Sequence, residues 1–177
     1  MKATNFLIQE HKLILRALDV LDAMSSLIEE ARVVEQPDVD KILDFLRWFG
    51  DSHHQAKEEV ILFPALKKAS ASQSRPIEHM TLEHSQERAM VEDLETALRL
   101  SKLPEFVSSA RQLSSTLRNH IYKEDRILFE KVDAVLSPEE DEAVYEKLTR
   151  FDSALDMRVL EDKLNDLRAL EWRYLSK

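Results

Sequence analysis

The sequence contains no cysteine, which excludes disulfide bonds, thiolate zinc sites and thiol catalysis. It has one glycine and five prolines, too few turn residues for a β-sandwich or a Rossmann fold. A net charge of −9 argues against a broad nucleic-acid footprint. No apolar run approaches membrane-spanning length, and the N-terminal residues lack the apolar core of a signal peptide. We therefore expect a helical cytoplasmic protein that binds neither membranes nor nucleic acid.

Apolar residues at three- and four-residue steps predict four long helices and a C-terminal helical segment. At 177 residues the chain is long enough for one domain with a substantial core. The predicted helices cover residues 4–32, 39–68, 76–100 and 104–135, and the last segment covers 137–176. We expect an all-α fold: an up-down-up-down four-helix bundle over residues 1–136, and a helical extension over 137–177 that packs on the bundle or on a partner chain.

Polar and proline-containing stretches separate these helices. Asp38 is the expected cap of the second helix, and Pro64 is expected to kink or tighten its last turn. Pro76 is the expected first residue of the third helix. Ser137 and Glu140 have the spacing of a capping box, and the segment that they open has no predicted break.

One local pattern occurs twice, near the middle of the chain and again near the end of the predicted bundle. His54 precedes Glu58 by four residues, and His120 precedes Glu124 by four residues, each pair shortly before an Ile-Leu-Phe triplet. Residues four apart lie on one face of an α-helix, about one turn apart. Each pair can therefore present a nitrogen and a carboxylate oxygen to one point beside its helix.

The first and third predicted helices also repeat each other, because Glu10-His11 in one corresponds to Glu83-His84 in the other. The chain is thus two helical hairpins, each supplying His and then His-x-x-x-Glu. The candidate metal ligands are His11, His54, Glu58, His84, His120 and Glu124. Imidazole with carboxylate suits iron or manganese, whereas zinc more often uses fewer ligands or thiolate. Two carboxylates that can bridge, with two histidines per half, fit a pair of ions better than a single ion.

A metal-free helical interaction module is the competing interpretation. A lone core histidine such as His11 or His84 is usually a hydrogen-bonded structural residue. Glu58 and Glu124 are harder to explain in this way, because acids on a core-facing row are costly unless they are paired or bind a metal. In the metal-free interpretation, replacing either acid with alanine would be neutral or stabilising.

Residues beside the six candidates have less certain roles. Glu10 and Glu83, which precede the lone histidines, are candidates to support the ligands, although on a helix their side chains point away from those histidines. His53 and Glu59 lie off the interior row, so we expect them to face solvent or to support the ligands. Asp125 is an alternative to Glu124 if the helix is irregular.

Three further residues lie near the predicted centre in the sequence. His79 lies about 140° around the helix from His84 and is expected at the surface. Tyr122 faces away from the motif and is not a candidate ligand. Gly50 precedes His54 by one turn; tight helix packing is the favoured reason for a glycine there, and a pocket beside the metal is the alternative.

The ordered motifs resemble those of the hemerythrin-like, or HHE cation-binding, domains over roughly residues 4–135. The resemblance rests on Glu10-His11, His53-His54 with Glu58-Glu59 and Leu62-Phe63-Pro64, Glu83-His84 with Arg88, and His120 with Lys123-Glu124-Asp125 and Leu128-Phe129. It implies a left-handed bundle holding two non-heme iron ions with oxo or hydroxo and carboxylate bridges. The six candidate residues fall on the family's ligand positions, and iron is therefore favoured over manganese or zinc.

The pattern departs from that of the oxygen-carrying hemerythrins. Those have two histidines four apart on the third helix, but Met80 and Arg88 stand at that distance from His84. They also place an aspartate five residues after the last histidine, where Asp125 stands, whereas Glu124, four residues after it, fits a different subgroup. The present arrangement is similar to that of iron-centre repair proteins and of iron- and oxygen-sensing members. The open position implied by one fewer histidine favours reaction with a small ligand over reversible oxygen carriage.

The functional prediction is a di-iron protein that binds, senses or reacts with oxygen, peroxide or nitric oxide, or that handles iron. An enzyme-like role in iron-centre repair or peroxide reduction is the alternative, and no catalytic residue is assigned. A ferritin-like oxidase fits less well, because no candidate histidine has a glutamate three residues before it. The extension has an apolar side that includes Leu155, and its Trp172 and Tyr174 could anchor it to the bundle, to a second copy of the chain or to another protein.

Overall fold

The computed structural model describes residues 2–154 and 156–176, and the described residues form helices and short connections without a β-strand. The helices are α1 (Ala3–Glu29), α2 (36–69), α3 (Ser74–Arg99), α4 (103–135), α5 (Pro138–Ser153) and α6 (Met157–Leu175), with a short 3₁₀ turn at Ala71–Gln73. Helix α1 packs against α2 and α4, and α3 packs against the same two helices. The predicted four-helix bundle with an additional C-terminal helical segment is confirmed.

Helices α2 and α4 are not uniform α-helices. Wider turns with i→i+5 hydrogen bonds occupy Leu46–Gln55 and Glu58–Leu62 in α2 and Glu124–Leu128 in α4. Pro64 does not tighten the end of α2, since the turn before it is wider and the α-helix resumes at Phe63–Ala69. The corresponding turn of α4 forms without a proline. The wide turn therefore belongs to the repeated motif and does not depend on Pro64.

Two predicted helix starts are wrong by a few residues. Helix α2 begins at Gln36, with Asp38 inside its first turn. The Asp38 carboxylate does not cap the helix, because it accepts hydrogen bonds from Arg173 at 2.5 Å and from Tyr174 at 2.6 Å. Helix α3 begins at Ser74, two residues before Pro76. Proline has no N–H to lose in a first turn, so it marks a helix start only to within a few residues.

The C-terminal segment is two helices, so the prediction of one unbroken helix is wrong. Helix α5 ends at Ser153, and Asp156 starts α6 by accepting the backbone N–H of Arg158 at 3.0 Å. The predicted capping box at the start of α5 is present. Leu155, predicted on the apolar side of this segment, lies outside the described residues.

Both C-terminal helices lie against α1 and α2 of the same chain. Leu167 and Leu170 are buried in the bundle's apolar core, and Arg16 on α1 donates two hydrogen bonds to Glu171. Tyr174 is used within the chain through its bond to Asp38, whereas Trp172 is 77% exposed. Among the described residues, no helix is long and apolar enough to cross a membrane.

The buried apolar residues of the bundle form two clusters, one toward each end. Leu18, Phe45 and Phe106 belong to the first cluster, and Leu7 and Phe129 belong to the second. On each of the four bundle helices the histidine or His-x-x-x-Glu motif lies in sequence between members of the two clusters. The fold therefore buries a polar layer between two apolar layers.

Candidate metal centre

The six candidate ligands come together in this polar layer. Every one of their side chains is at least 97% buried: His11, His54, Glu58, His84, His120 and Glu124. Burying two carboxylates and four imidazoles is unfavourable unless the groups satisfy one another or a bound ion satisfies them. Their positions relative to one another therefore decide what the layer can do.

Glu58 lies between the two pairs of histidines. Its Oε1 is 3.5 Å from Nε2 of His54 and 3.9 Å from Nε2 of His11. Its other oxygen, Oε2, is 3.5 Å from Nε2 of His84. The two oxygens of one carboxylate thus face histidines from both halves of the repeat.

Glu124 occupies the equivalent position in the second half. Its Oε2 is 3.2 Å from Nε2 of both His11 and His120, and its Oε1 is 3.8 Å from Nε2 of His84. Asp125, the alternative that the sequence left open, does not enter this group and instead contacts Nδ1 of His11 at 2.7 Å. The wide turn that begins at Glu124 leaves that residue at the centre and Asp125 beside it.

Each of the four histidines has a carboxylate at the ring nitrogen that faces away from the centre. The Nδ1 contacts are His11 with Asp125 at 2.7 Å, His54 with Glu10 at 2.9 Å, His84 with Glu59 at 2.8 Å and His120 with Glu83 at 2.8 Å. A carboxylate that accepts the Nδ1 proton fixes the ring orientation and leaves Nε2 free to bind a metal. This is the arrangement that metal-binding histidines ordinarily have.

The sequence named Glu10, Glu83 and Glu59 as residues that could support the ligands, but it did not predict which histidine each one contacts. Glu10 and Glu83 do point away from the histidines that follow them, as expected, but each reaches the histidine of the next helix in its own hairpin. Glu59 is a partly exposed partner of His84, and His53 is buried at 2% exposure. Of the two roles expected for His53, exposure to solvent is excluded, and its contacts with Lys57 at 3.0 Å and Glu10 at 3.3 Å fit the other, support of the ligands. The exposed position expected for His79 is confirmed. The repeat itself carried the missing signal, since Glu10 and Glu83 are equivalent within it.

Most of the atoms that face the centre lack hydrogen-bond partners, although Nε2 of His84 and Nε2 of His120 lie 3.1 Å from each other. The Nε2 atoms of His11 and His54 and all four carboxylate oxygens of Glu58 and Glu124 are buried without a hydrogen bond among the described residues. Buried polar atoms in native proteins are rarely left in that condition. A cation would satisfy nitrogen lone pairs and carboxylate oxygens together, so the set fits a metal.

The electrostatics of the metal-free layer separate its two acids. Burial, and after it the nearby Glu124 carboxylate, raises the pKa of Glu58 well above its ordinary value. Burial opposes ionisation of Glu124 too, but the adjacent imidazoles outweigh it and lower the pKa of Glu124. Despite its burial, His120 has its pKa raised to about 10 because Glu124 lies beside it, whereas burial lowers the pKa of His54 to about 4. A metal would therefore displace protons from this layer.

Within the described residues, three groups have ligand atoms within 4.8 Å of one another. Two of them form the centre: His11, His54, Glu58 and Glu124, and His84, His120 and Glu124. The third, Glu10, His53 and Asp152, lies beside the centre, and the Nζ atom of Lys57 contacts all three of its members. A family model, the hemerythrin HHE cation binding domain, matches residues 2–132. The chain belongs to this family. No curated protein matches it in a sequence comparison. Membership in the hemerythrin HHE family accounts for a helical bundle whose interior polar groups can hold cations.

A cavity of about 110 Å³ lies beside the candidate centre of this hemerythrin HHE protein. Its walls include His11, His54 and His120, apolar residues such as Gly50 and Val91, and about as many polar or charged residues. A β-carbon placed on Gly50 would meet no atom within 4 Å. The favoured interpretation of Gly50 as a tight packing position is therefore wrong, because its missing side chain leaves open space next to the centre.

Two buried polar side chains also line this cavity. Nε2 of Gln55 donates to Oε2 of Glu87 at 2.7 Å, while Oε1 of Gln55 and Oε1 of Glu87 have no hydrogen-bond partner among the described residues. Burial raises the pKa of Glu87. Neither residue was singled out from the sequence as functional, because neither belongs to the repeated motif. The cavity thus brings free hydrogen-bonding groups close to His120, whose Nδ1 is 3.6 Å from Glu87.

Proposed function

We propose that this hemerythrin HHE protein holds two iron ions between its four bundle helices and admits a small ligand such as oxygen, peroxide or nitric oxide to them. The residues that would hold the ions are His11, His54, Glu58, His84, His120 and Glu124. The observation that carries the proposal is the convergence of buried nitrogen and oxygen atoms that otherwise lack partners.

The donor set also supports the choice of metal. Imidazole and carboxylate ligands without thiolate suit iron or manganese, and iron is typical of the family. When bound, the ions would supply Lewis-acid and redox chemistry. The chain orients its histidines through their Nδ1 partners, excludes bulk water by burial and leaves one open side at the cavity beside Gly50. The metal chemistry belongs in this proposal to the four-helix bundle before Ser137, and the helices that follow form an extension that packs on the bundle. A cytoplasmic location remains a prediction.

The test is metal content per chain after expression in iron-supplemented cells, with near-ultraviolet spectra before and after exposure to air. We expect about two iron ions per chain and an oxo-bridge absorption in the unaltered protein. In Glu124→Gln we expect the loss of the bound iron and of this absorption. Glu130→Gln is the matched control, since Glu130 is exposed on the same helix. A folded protein that contains no metal and takes up none on reconstitution would leave the helical interaction module as the explanation.

The contact between Gln55 and Glu87 favours peroxide reduction as a second candidate function. Peroxide chemistry requires proton transfer, and a positioned carboxyl group typically contributes about 10²–10⁴-fold to the rate of such a step. If Glu87 has this role, Glu87→Gln should lower the rate of peroxide consumption while iron content stays unchanged. The control is Glu78→Gln, an exposed position on the same helix. Equal rates in the two variants would exclude Glu87 from the chemistry.

A further inference from the structure

The carboxylates that hold two of the candidate ligands are themselves held by lysines. Glu10, the partner of His54, accepts a hydrogen bond from Lys57. Glu83, the partner of His120, accepts one from Lys123 in the same way. Lys57 and Lys123 occupy equivalent places in the two His-x-x-x-Glu motifs. In each half of the centre, a lysine therefore contacts a glutamate, and that glutamate contacts a candidate histidine ligand.

The two lysines differ in their surroundings. The side chain of Lys57 is fully buried, whereas that of Lys123 is 24% exposed. Nζ of Lys57 also contacts Oδ1 of Asp152 at 2.8 Å and Nε2 of His53 at 3.0 Å. An ammonium group has three N–H donors, and at Lys57 three acceptors are present for them. Within the described part of the chain, Lys123 bonds only to Glu83.

Asp152 belongs to helix α5, outside the residues that match the family. The contacts run from Asp152 to Lys57, from Lys57 to Glu10, and from Glu10 to Nδ1 of His54. Removing one partner of a buried charged network leaves the others without compensation, so the network resists rearrangement. The C-terminal extension thus contacts a candidate metal ligand through two intermediate side chains, and it does so on one half of the centre only.

We propose that Asp152 and Lys57 are positioning residues that fix Glu10 and His54, so that docking of α5 sets the metal affinity of the half of the centre that contains His54. This inference rests on the proposed metal-binding function. Because no equivalent of Asp152 contacts Lys123 among the residues that the structure describes, the two halves differ in affinity although their ligands repeat. Loss of the docked helix weakens one half and leaves the other unchanged.

The test compares Asp152→Asn with the unaltered protein in a Co²⁺ titration followed by visible absorption. Replacing a residue that directly contacts a metal ligand typically lowers affinity about 10–100-fold. Because Lys57 and Glu10 lie between Asp152 and His54, we expect a smaller, severalfold loss at one of two sites. Asp152→Glu, which keeps the charge, should recover part of that loss. Asp162→Asn is the control, because Asp162 is exposed on α6. Equal affinities in Asp152→Asn and the unaltered protein would overturn the proposal.

A second readout does not require metal. In the metal-free protein labelled with ¹⁵N-histidine, Asp152→Asn should shift the Nδ1 resonance of His54 and leave that of His120 in place. If Co²⁺ fails to bind even the unaltered protein, the proposed function fails, while this spectrum still decides whether Asp152 positions His54. A variant that melts at a lower temperature with an unshifted His54 resonance would make Asp152 a stabilising contact only, which also overturns the proposal.

Discussion

Replacing Gly50 with alanine separates the two explanations of the only glycine in the chain. Glycine in a helix interior costs about 1 kcal/mol relative to alanine, and the backbone at Gly50 does not have a positive φ. The methyl group added by alanine meets no atom within 4 Å, so no steric strain offsets the higher helix propensity of alanine. We therefore expect Gly50→Ala to stabilise the metal-free protein by about 1 kcal/mol, a rise in melting temperature of roughly 2–4 °C for a chain of this size.

The opposite sign is expected if Gly50 permits close packing, since overpacking a core typically costs about 1–3 kcal/mol. Thermal and urea denaturation of the metal-free protein measure the change directly. A larger substitution, Gly50→Leu, should fill the cavity of about 110 Å³, leaving the metal content unchanged and weakening binding of nitric oxide or azide. Thr116→Leu, at the equivalent place in the second motif, is the control. A destabilising Gly50→Ala would refute the assignment of an open pocket.

Three further predictions concern the metal centre and the extension. Because the pKa of His120 is raised to about 10, a metal must displace the proton of His120 near neutral pH. The affinity of the protein for metal should therefore rise between about pH 6 and about pH 8. Calorimetry in two buffers with different ionisation enthalpies should detect the released proton. The same raised pKa stabilises the metal-free protein fully below about pH 6.5, and this contribution is lost toward about pH 10. Asp125→Asn and Glu59→Gln should each lower metal affinity about 10–100-fold, as measured by competition with a chelator, because these acids contact Nδ1 of His11 and of His84. An unchanged affinity in either variant would show that its contact does not support metal binding. Ser137→Ala should lower the free energy of unfolding by about 1 kcal/mol in urea denaturation, because it removes the side-chain cap of α5. An unchanged urea midpoint would show that α5 does not unfold together with the bundle.

The sequence predicted the helices and the interior rows well because both follow from spacing along a single helix. The six candidate residues were selected in this way, and the structure brings them together; their metal binding remains a proposal. The partners of the histidines were harder to predict, since helical periodicity gives the face of a residue but not the neighbouring helix that it contacts. Glu10 is one example. Lys57 is another, because lysine is seldom fully buried and only a three-dimensional arrangement of Glu10, His53 and Asp152 explains it.

The internal repeat separates what the two halves share from what only one half has. Under the alignment that superposes His54 on His120, the lysines also superpose, whereas Gln55 falls on Ile121. Under the alignment of His11 with His84, Glu87 falls on Ile14. The shared residues build the symmetric set of histidines and acids, while the polar residues of the cavity and the contact with Asp152 have no counterpart. A symmetric centre alone would offer a small ligand two equivalent approaches. The departures from the repeat are therefore where the reactivity and regulation of this protein should be sought.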